Sequence, residues 1–443
     1  MNTPICDFVD EYIKKNTKRL HMPGHKGCGM LGVENRDITE IKGADSLFEA
    51  DSVIKESELN ASMLFGCRTY YSAEGSSLCI RAMVYLLSLY AKVRGKAELI
   101  LAARNVHKTF LSAVALCDMD VEWMYGTNSY LSCKISADEL DRKLSQMDTK
   151  PVALYLTSPD YLGNVADIKS LSEVCKKHDV LLVVDNAHGA YLKFLENSQH
   201  PVDLGATLCC DSAHKTLPVL TGGAYLHIAD DAHDLFFDKA KGALSLFAST
   251  SPSYLIMQSL DYANKYLADG YKEKLSDFAV KVAEVKDKLS CCGYTLVGDE
   301  VLKITLCTKS YGYYGSEFAE ILRDNNIECE FSDPDFVVLM LTPEMESDLD
   351  YLLSVLTAIP RKPVINEKPP KFSPLKKMMT IREAMFSNTR IVDVKNSVGR
   401  ICADISVSCP PAVPIVVCSE VIDESAVKCF EYYSIDRCAV VEK

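Results

Sequence analysis

Between Leu99 and Ile228 the chain carries five short apolar runs, Leu99–Ala102, Val152–Thr157, Val180–Val184, Thr207–Cys210 and Ala224–Ile228, separated by polar or helix-forming stretches. Several are apolar at every position instead of alternating with polar residues. A strand of that kind has both faces buried, which calls for a mostly parallel sheet covered by helices. The pattern predicts an α/β domain whose ligand lies past the carboxyl ends of the strands. Asp185 and the segment Ser212 to Lys215 stand just past two such ends.

A chain of 443 residues, 48% of them hydrophobic, is long enough for two or three domains with a large buried core. Its 48 basic residues against 61 acidic ones leave a net charge of -13. That charge repels a phosphate backbone, so nucleic acid is not an expected partner. No apolar run reaches the roughly 18 residues of a membrane helix, and the start of the chain has no basic-then-apolar signal pattern. No membrane association is expected, and the expected location is the cytoplasm. The 18 cysteines show neither a C-x-x-C pair nor Cys/His zinc spacing. They read as small buried apolar residues in a reducing compartment, with no metal site expected.

Beyond the strands, Leu244 to Gly270 reads as a turn, STSPS, followed by a helix. From Asp277 to about Pro360 the pattern predicts a second unit: helices near 278–289 and 316–325, and strands near 294–297, 301–307 and 336–341. Arg361 to Lys371 is rich in Pro and Lys and suits a linker. A third unit follows, in which CPPAVPIVV mixes apolar residues with prolines.

The chemistry concentrates on two residues thirty apart, Asp185 in LLVVDNAHGA and Lys215 in DSAHKT. A lysine in a short polar turn after an apolar strand can bond an aldehyde through its amine, and an aspartate at an earlier strand end can keep a pyridine nitrogen protonated. That pair is what a chain needs to hold pyridoxal phosphate. Most lysines are solvated surface charges. Lys215 instead follows the run Gly205 to Cys210 and has Ser212 and His214 for neighbours.

Three other motifs are weaker. Ser72-Ala73-Glu74-Gly75-Ser76-Ser77 precedes a helix near 77–93, with Leu78, Met83, Leu86 and Leu87 on its core face. Glycine admits close backbone approach, and serine hydroxyls with unpaired helix-start N–H groups suit a phosphate, although such serines usually serve as caps. His107 follows the first strand and can stack on a ring and move a proton, or it can be an ordinary polar contact. His21 and His25 lie four apart, but Pro23 and Gly24 between them argue against a helical metal pair and for a turn near a ligand.

In order along the chain, HMPGHKG, DITEIKGADSL, the Gly75 loop, ARNVHKT, TSPDYLGNVADI, VVDNAHGAYLKF, SAHKTLPVLTGGAYLH, STSPSYLIMQSLD and the tail from Gly399 to Ile422 resemble the bacterial ornithine/lysine/arginine decarboxylases. The resemblance spans His21 to Ile422. It implies the aspartate-aminotransferase-like fold of pyridoxal phosphate-dependent enzymes, with a mostly parallel central sheet, a smaller α+β domain and a C-terminal decarboxylase-type domain. The implied boundaries are 1–35 for an N-terminal arm, 36–270 for the large cofactor-binding domain, 271–365 for the small domain and 366–443 for the last. Carried over by motif, Lys215 bonds the cofactor, Asp185 pairs with the ring nitrogen, His107 stacks on the ring and His188 lies beside it. His214 neighbours the bonded amine, while Gly75, Ser76, Ser77 and Ser212 hold the phosphate.

The implied reaction is decarboxylation of arginine, lysine or ornithine to an amine by a homodimer or larger assembly with its site at the subunit interface, where Ser249 to Tyr254 reaches the partner's cofactor. Sequence leaves Glu74, Asp45 and Glu420 open as partners for the substrate's distal cation. An aminotransferase or carbon–sulfur lyase is the rival on the same cofactor, with Arg390 or Arg400 as its carboxylate clamp; a non-catalytic paralogue is the rival outside enzymes. The chain resembles the short form, without a receiver-like N-terminal domain. It departs from the family pattern at Asn186, where DEAHGAH-type members have glutamate, at Gly222, where many have glutamine, and at Cys418-Ser419, where proline-glycine is usual.

Overall fold

The structure, a computed structural model, describes residues 1–126, 132–371, 373–408 and 414–442. Residues 409–413 of the CPPAVPIVV tail lie outside the described residues. Seven strands frame the motifs: β1 (Arg68–Ser72), β2 (Leu99–Ala103), β3 (Asp120–Met124), β4 (Ala153–Thr157), β5 (Leu181–Asp185), β6 (Leu208–Asp211) and β7 (Ala224–Ile228). Five coincide with the expected apolar runs. β1 was not expected, because RTYYS reads as polar although its last four residues are buried. β3 was not expected either: DVEWM keeps exposed positions among buried ones, as suits a strand with a single neighbour.

Chain contacts gather into two compact units, Met1–Arg94 with Leu181–Leu275, and Gly95–Val180 with Ser276–Lys443. In the first, β7 lies between β1 and β6 and is antiparallel to both, while β6 is parallel to β5. The helix Gly75–Arg94 packs on these strands and buries Leu78, Met83, Leu86 and Leu87, the face expected from its sequence. Among the described residues it is the one helix long and apolar enough to cross a membrane, and most of it is buried within the unit. The first helix, Pro4–Lys14, starts with proline at its first turn, where the missing N–H costs nothing. Its next two N–H groups, from Ile5 and Cys6, donate to buried Asp261 Oδ2 at 3.0 and 2.9 Å.

In the second unit β2 runs parallel to β3 and to β4, and the helices Lys108–Cys117, Ala137–Gln146 and Ile168–Lys177 follow these strands. A four-stranded antiparallel sheet in the order 331–332, 336–340, 303–307 and 296–297 comes next, with the helices Gly315–Asp324 and Leu349–Ala358. The expected strand near 294–297 shrinks to Leu296–Val297. After the linker, Thr389–Asp393 pairs antiparallel with Arg437–Val441, and Ser406–Ser408 with Pro414–Val417. These pairs enclose a core of Val394, Cys402, Val416, Ile422, Phe430 and Val440. Most of the described cysteines are buried.

Asp333 in this unit gives a first expected result. Its Oδ1 accepts N–H groups from Asp335 and Phe336 at 2.8 and 2.6 Å, and burial first, with Asp335 beside it, pushes its carboxyl up to about 7. Unfolded, the group ionises near its ordinary 3.8. The stability carried by that retained proton is complete below the unfolded value and is lost as pH rises through 7. Asp333→Asn keeps the acceptor and removes the charge. Its unfolding free energy should exceed the parent's at pH 8, and the advantage should shrink by about 3 kcal/mol on going to pH 5. A pH-independent difference between the two proteins would contradict the assignment.

Candidate active site

Two strand ends of the first unit carry the candidate site residues Asp185 and Lys215. β5 delivers Asp185 at its carboxyl end, 2% exposed, and the neighbouring parallel β6 ends at Asp211 and leads into the short helix Ala213–Thr216 that carries His214 and Lys215. Parallel pairing sets Asp185 beside Cys210, so an acid and a lysine far apart in sequence emerge from adjacent strand ends. Burial pushes the Asp185 carboxyl up, and the charge of Lys215 pulls it back. Asp185 Oδ1 accepts the Ala187 N–H at 3.2 Å and the Cys210 thiol at 3.6 Å. Its Oδ2 takes no hydrogen bond among the described residues, which leaves an acceptor for a protonated ring nitrogen.

Lys215 Nζ lies 3.0 Å from His188 Nε2. His188 is buried. The Nδ1 of His214 is 3.0 Å from the Gly223 carbonyl, so that nitrogen carries the hydrogen. At the start of the helix Gly75–Arg94, the Ser212 hydroxyl donates to Ser76 Oγ at 2.7 Å, bringing two of the expected phosphate residues together. Gly75 has φ +71° and donates its N–H to the Gly222 carbonyl at 2.7 Å. Gly222 itself has φ +100°, and a Cβ there would sit 3.1 Å from the Ala73 carbonyl. The glycine at 222 is thus demanded by the local backbone. Ser77 follows Ser76 in the first turn of this helix.

His107 belongs to the second unit, where it caps the helix Lys108–Cys117; its Nδ1 accepts from the Thr109 N–H at 3.3 Å and faces the Thr109 hydroxyl at 2.9 Å. Nearby in that unit, Arg104 clasps Glu420 with two bonds of 2.8 Å, at exposures of 2% and 1%. Glu420 Oε2 also accepts the Val417 N–H at 3.0 Å. Asp45 is equally committed: its two oxygens accept N–H groups from Ser46, Asp51, Ser52 and Ile54, which outweigh burial and hold the carboxyl below its usual range. Glu74 is exposed and accepts one bond, from the Ser249 N–H at 2.7 Å. Of the two histidines in HMPGHKG, His25 pairs with Asp37 at 3.1 Å and His21 with the Tyr12 hydroxyl at 2.9 Å.

Sequence reasoning passed over a buried layer beside Asp185. Asp211 Oδ2 lies 3.1 Å from Nε2 of both His200 and His227, and the Asn186 amide donates to Asp211 Oδ1 at 2.7 Å. All four side chains are fully buried. A charged residue closing an apolar strand was the available signal, because a lone buried carboxylate requires partners.

The model of the Orn/Lys/Arg decarboxylase major domain matches residues 3–307. The chain belongs to the Orn/Lys/Arg decarboxylase family. Arginine decarboxylases of Bacillus subtilis and Halalkalibacterium halodurans are each 29% identical to it over 460 residues, covering 95% and 96% of this chain and 91% of each relative. The Escherichia coli constitutive lysine decarboxylase superposes with a TM-score of 0.78 at 16% identity, covering 100% of this chain and 82% of that one. For lysine decarboxylase A of Pseudomonas aeruginosa the values are 0.82, 14%, 99% and 80%. A cysteine desulfurase of Thermococcus onnurineus follows at 0.57 and 14%, covering 80% and 90%. This family member therefore has the aspartate-aminotransferase-like α/β fold expected from its sequence, with a mostly parallel sheet clad in helices.

Proposed function

We propose that the protein binds pyridoxal phosphate and decarboxylates a basic L-amino acid, with arginine the first candidate. The observation that carries the reading is Lys215, 3.0 Å from His188, issuing from the strand adjacent to the one that ends in buried Asp185. Bound, the cofactor supplies an electron sink for the bond to the α-carboxylate. Lys215 bonds the cofactor and yields to the substrate amine, and Asp185 holds the ring nitrogen protonated through its open oxygen. Gly75, Ser76, Ser77 and Ser212 hold the phosphate at a helix start, and His107 takes the family's ring-stacking role. Lys215 and His214 are the candidates to return a proton to Cα.

Glu74 is proposed for the distal cation, since Asp45 and Glu420 are already engaged. A homodimer or larger assembly, and the four-part division at 1–35, 36–270, 271–365 and 366–443, complete the proposal. Arginine is favoured because the curated relatives at 29% identity are named for it.

Pure protein with pyridoxal phosphate should release carbon dioxide and agmatine from arginine at least about tenfold faster than it forms cadaverine from lysine or putrescine from ornithine, the scale of one well-placed polar contact. A preference for lysine or ornithine would reassign the substrate. No amine from any of the three would leave the aminotransferase or lyase reading.

A further inference from the structure

We propose that Asn186 and Asp211 form a reciprocal amide–acid pair that locks the turn carrying Asp185 onto the turn carrying Ser212 and Lys215, making both positioning residues for the cofactor site. The inference rests on the cofactor reading above for its functional consequence, and on geometry for the pair itself.

Asn186 is the first residue after β5, and Asp211 is the last of β6. The two strand ends are tied twice: the Asn186 N–H donates to the Cys210 carbonyl at 2.9 Å, and its side-chain amide donates to Asp211 Oδ1 at 2.7 Å. The other carboxylate oxygen is taken by His200 and His227 at 3.1 Å each. An ionised Asp211 can only accept, so a neutral His227 ring carries its hydrogen on Nε2 and points it at Asp211, leaving Nδ1 as an acceptor 2.9 Å from the Thr69 hydroxyl. The turn is shaped around the amide as well: a Cβ on Gly189 would come within 2.0 Å of Asn186 Oδ1.

An acid at position 186 cannot coexist with an ionised Asp211, because two buried carboxylates facing each other at hydrogen-bond distance repel without water to screen them. In this chain the single negative charge of the layer sits on β6, and residue 186 supplies the amide that meets it. The pair should therefore tolerate exchange as a unit and resist change at either member alone. Exchange conserves volume and the main hydrogen bonds of the layer: with the amide moved to position 211, its oxygen would face the two imidazoles and its NH2 would donate to the carboxylate moved to position 186, and only the long contact from the Cys209 thiol to Asp211 Oδ1, at 3.8 Å, would be given up.

The test compares the full-length parent with N186D, D211N and the double variant N186D/D211N. Three readouts are the melting temperature without cofactor, the dissociation constant for added pyridoxal phosphate, and the visible absorbance band of the bound cofactor, which reports how Asp185 meets the ring. Each single variant should melt lower, bind at least about tenfold more weakly and shift the band; the double variant should recover affinity to within about threefold of the parent, along with its band. Parent-like behaviour of N186D, or a double variant no better than the worse single, overturns the pair. Should a single variant fail to fold, a folded double variant supports the pair and an unfolded one overturns it. A parent that binds no pyridoxal phosphate would sink the cofactor reading, while the melting temperatures of the four proteins would still decide the pair.

Discussion

Lys215→Ala is expected to lower turnover by at least about a thousandfold and to remove the covalent link to pyridoxal phosphate, because the same amine holds the cofactor, yields to the substrate and is a candidate to return the proton. Borohydride treatment of the parent should fix the cofactor on the peptide containing Lys215, and the variant should release its cofactor on gel filtration under denaturing conditions. Its fold should persist, since Lys215 is only partly buried and its side chain contributes no core surface. Fixation at Lys108 instead would move the site to the other unit and contradict the assignment.

Asp185→Asn carries the second large effect. The carboxylate has one oxygen committed to the Ala187 N–H and the Cys210 thiol, and the other is open for the ring nitrogen. In the protein alone, burial pushes this carboxyl up. A protonated pyridine nitrogen would draw it back to the ionised form, because a buried charge is stable only when paired. Asparagine fits the space and accepts the same Ala187 bond, but it cannot stabilise a positive ring. Turnover should fall at least about a hundredfold, with weakened but measurable cofactor binding. A rate near the parent's would place the pyridinium partner elsewhere.

The parallel strands, and the strand ends that carry Asp185 and Lys215, were legible in sequence because they rest on one-dimensional signals. LLVVD and the run before Ser212 are apolar until they end in polar residues, so the two strand ends stand out from the sequence alone. RTYYS gave no such signal: its tyrosines and serine are buried by the antiparallel neighbour β7, a tertiary fact. The commitment of Glu420 to Arg104 joins residues more than three hundred apart, and no local pattern encodes it. Nor could the sequence show that Asn186 and Asp211 meet, because that depends on the parallel register of β5 and β6. The unusual Gly222 became intelligible only through its backbone, at φ +100°.

The central claim, that a basic amino acid loses its carboxylate here while the nitrogen stays on the product, is tested most directly by mass balance over many turnovers of the pure holoenzyme with arginine. Equimolar carbon dioxide and agmatine are expected, with the cofactor recovered as its aldehyde. Stoichiometric pyridoxamine phosphate and a keto acid, without carbon dioxide, would contradict the claim.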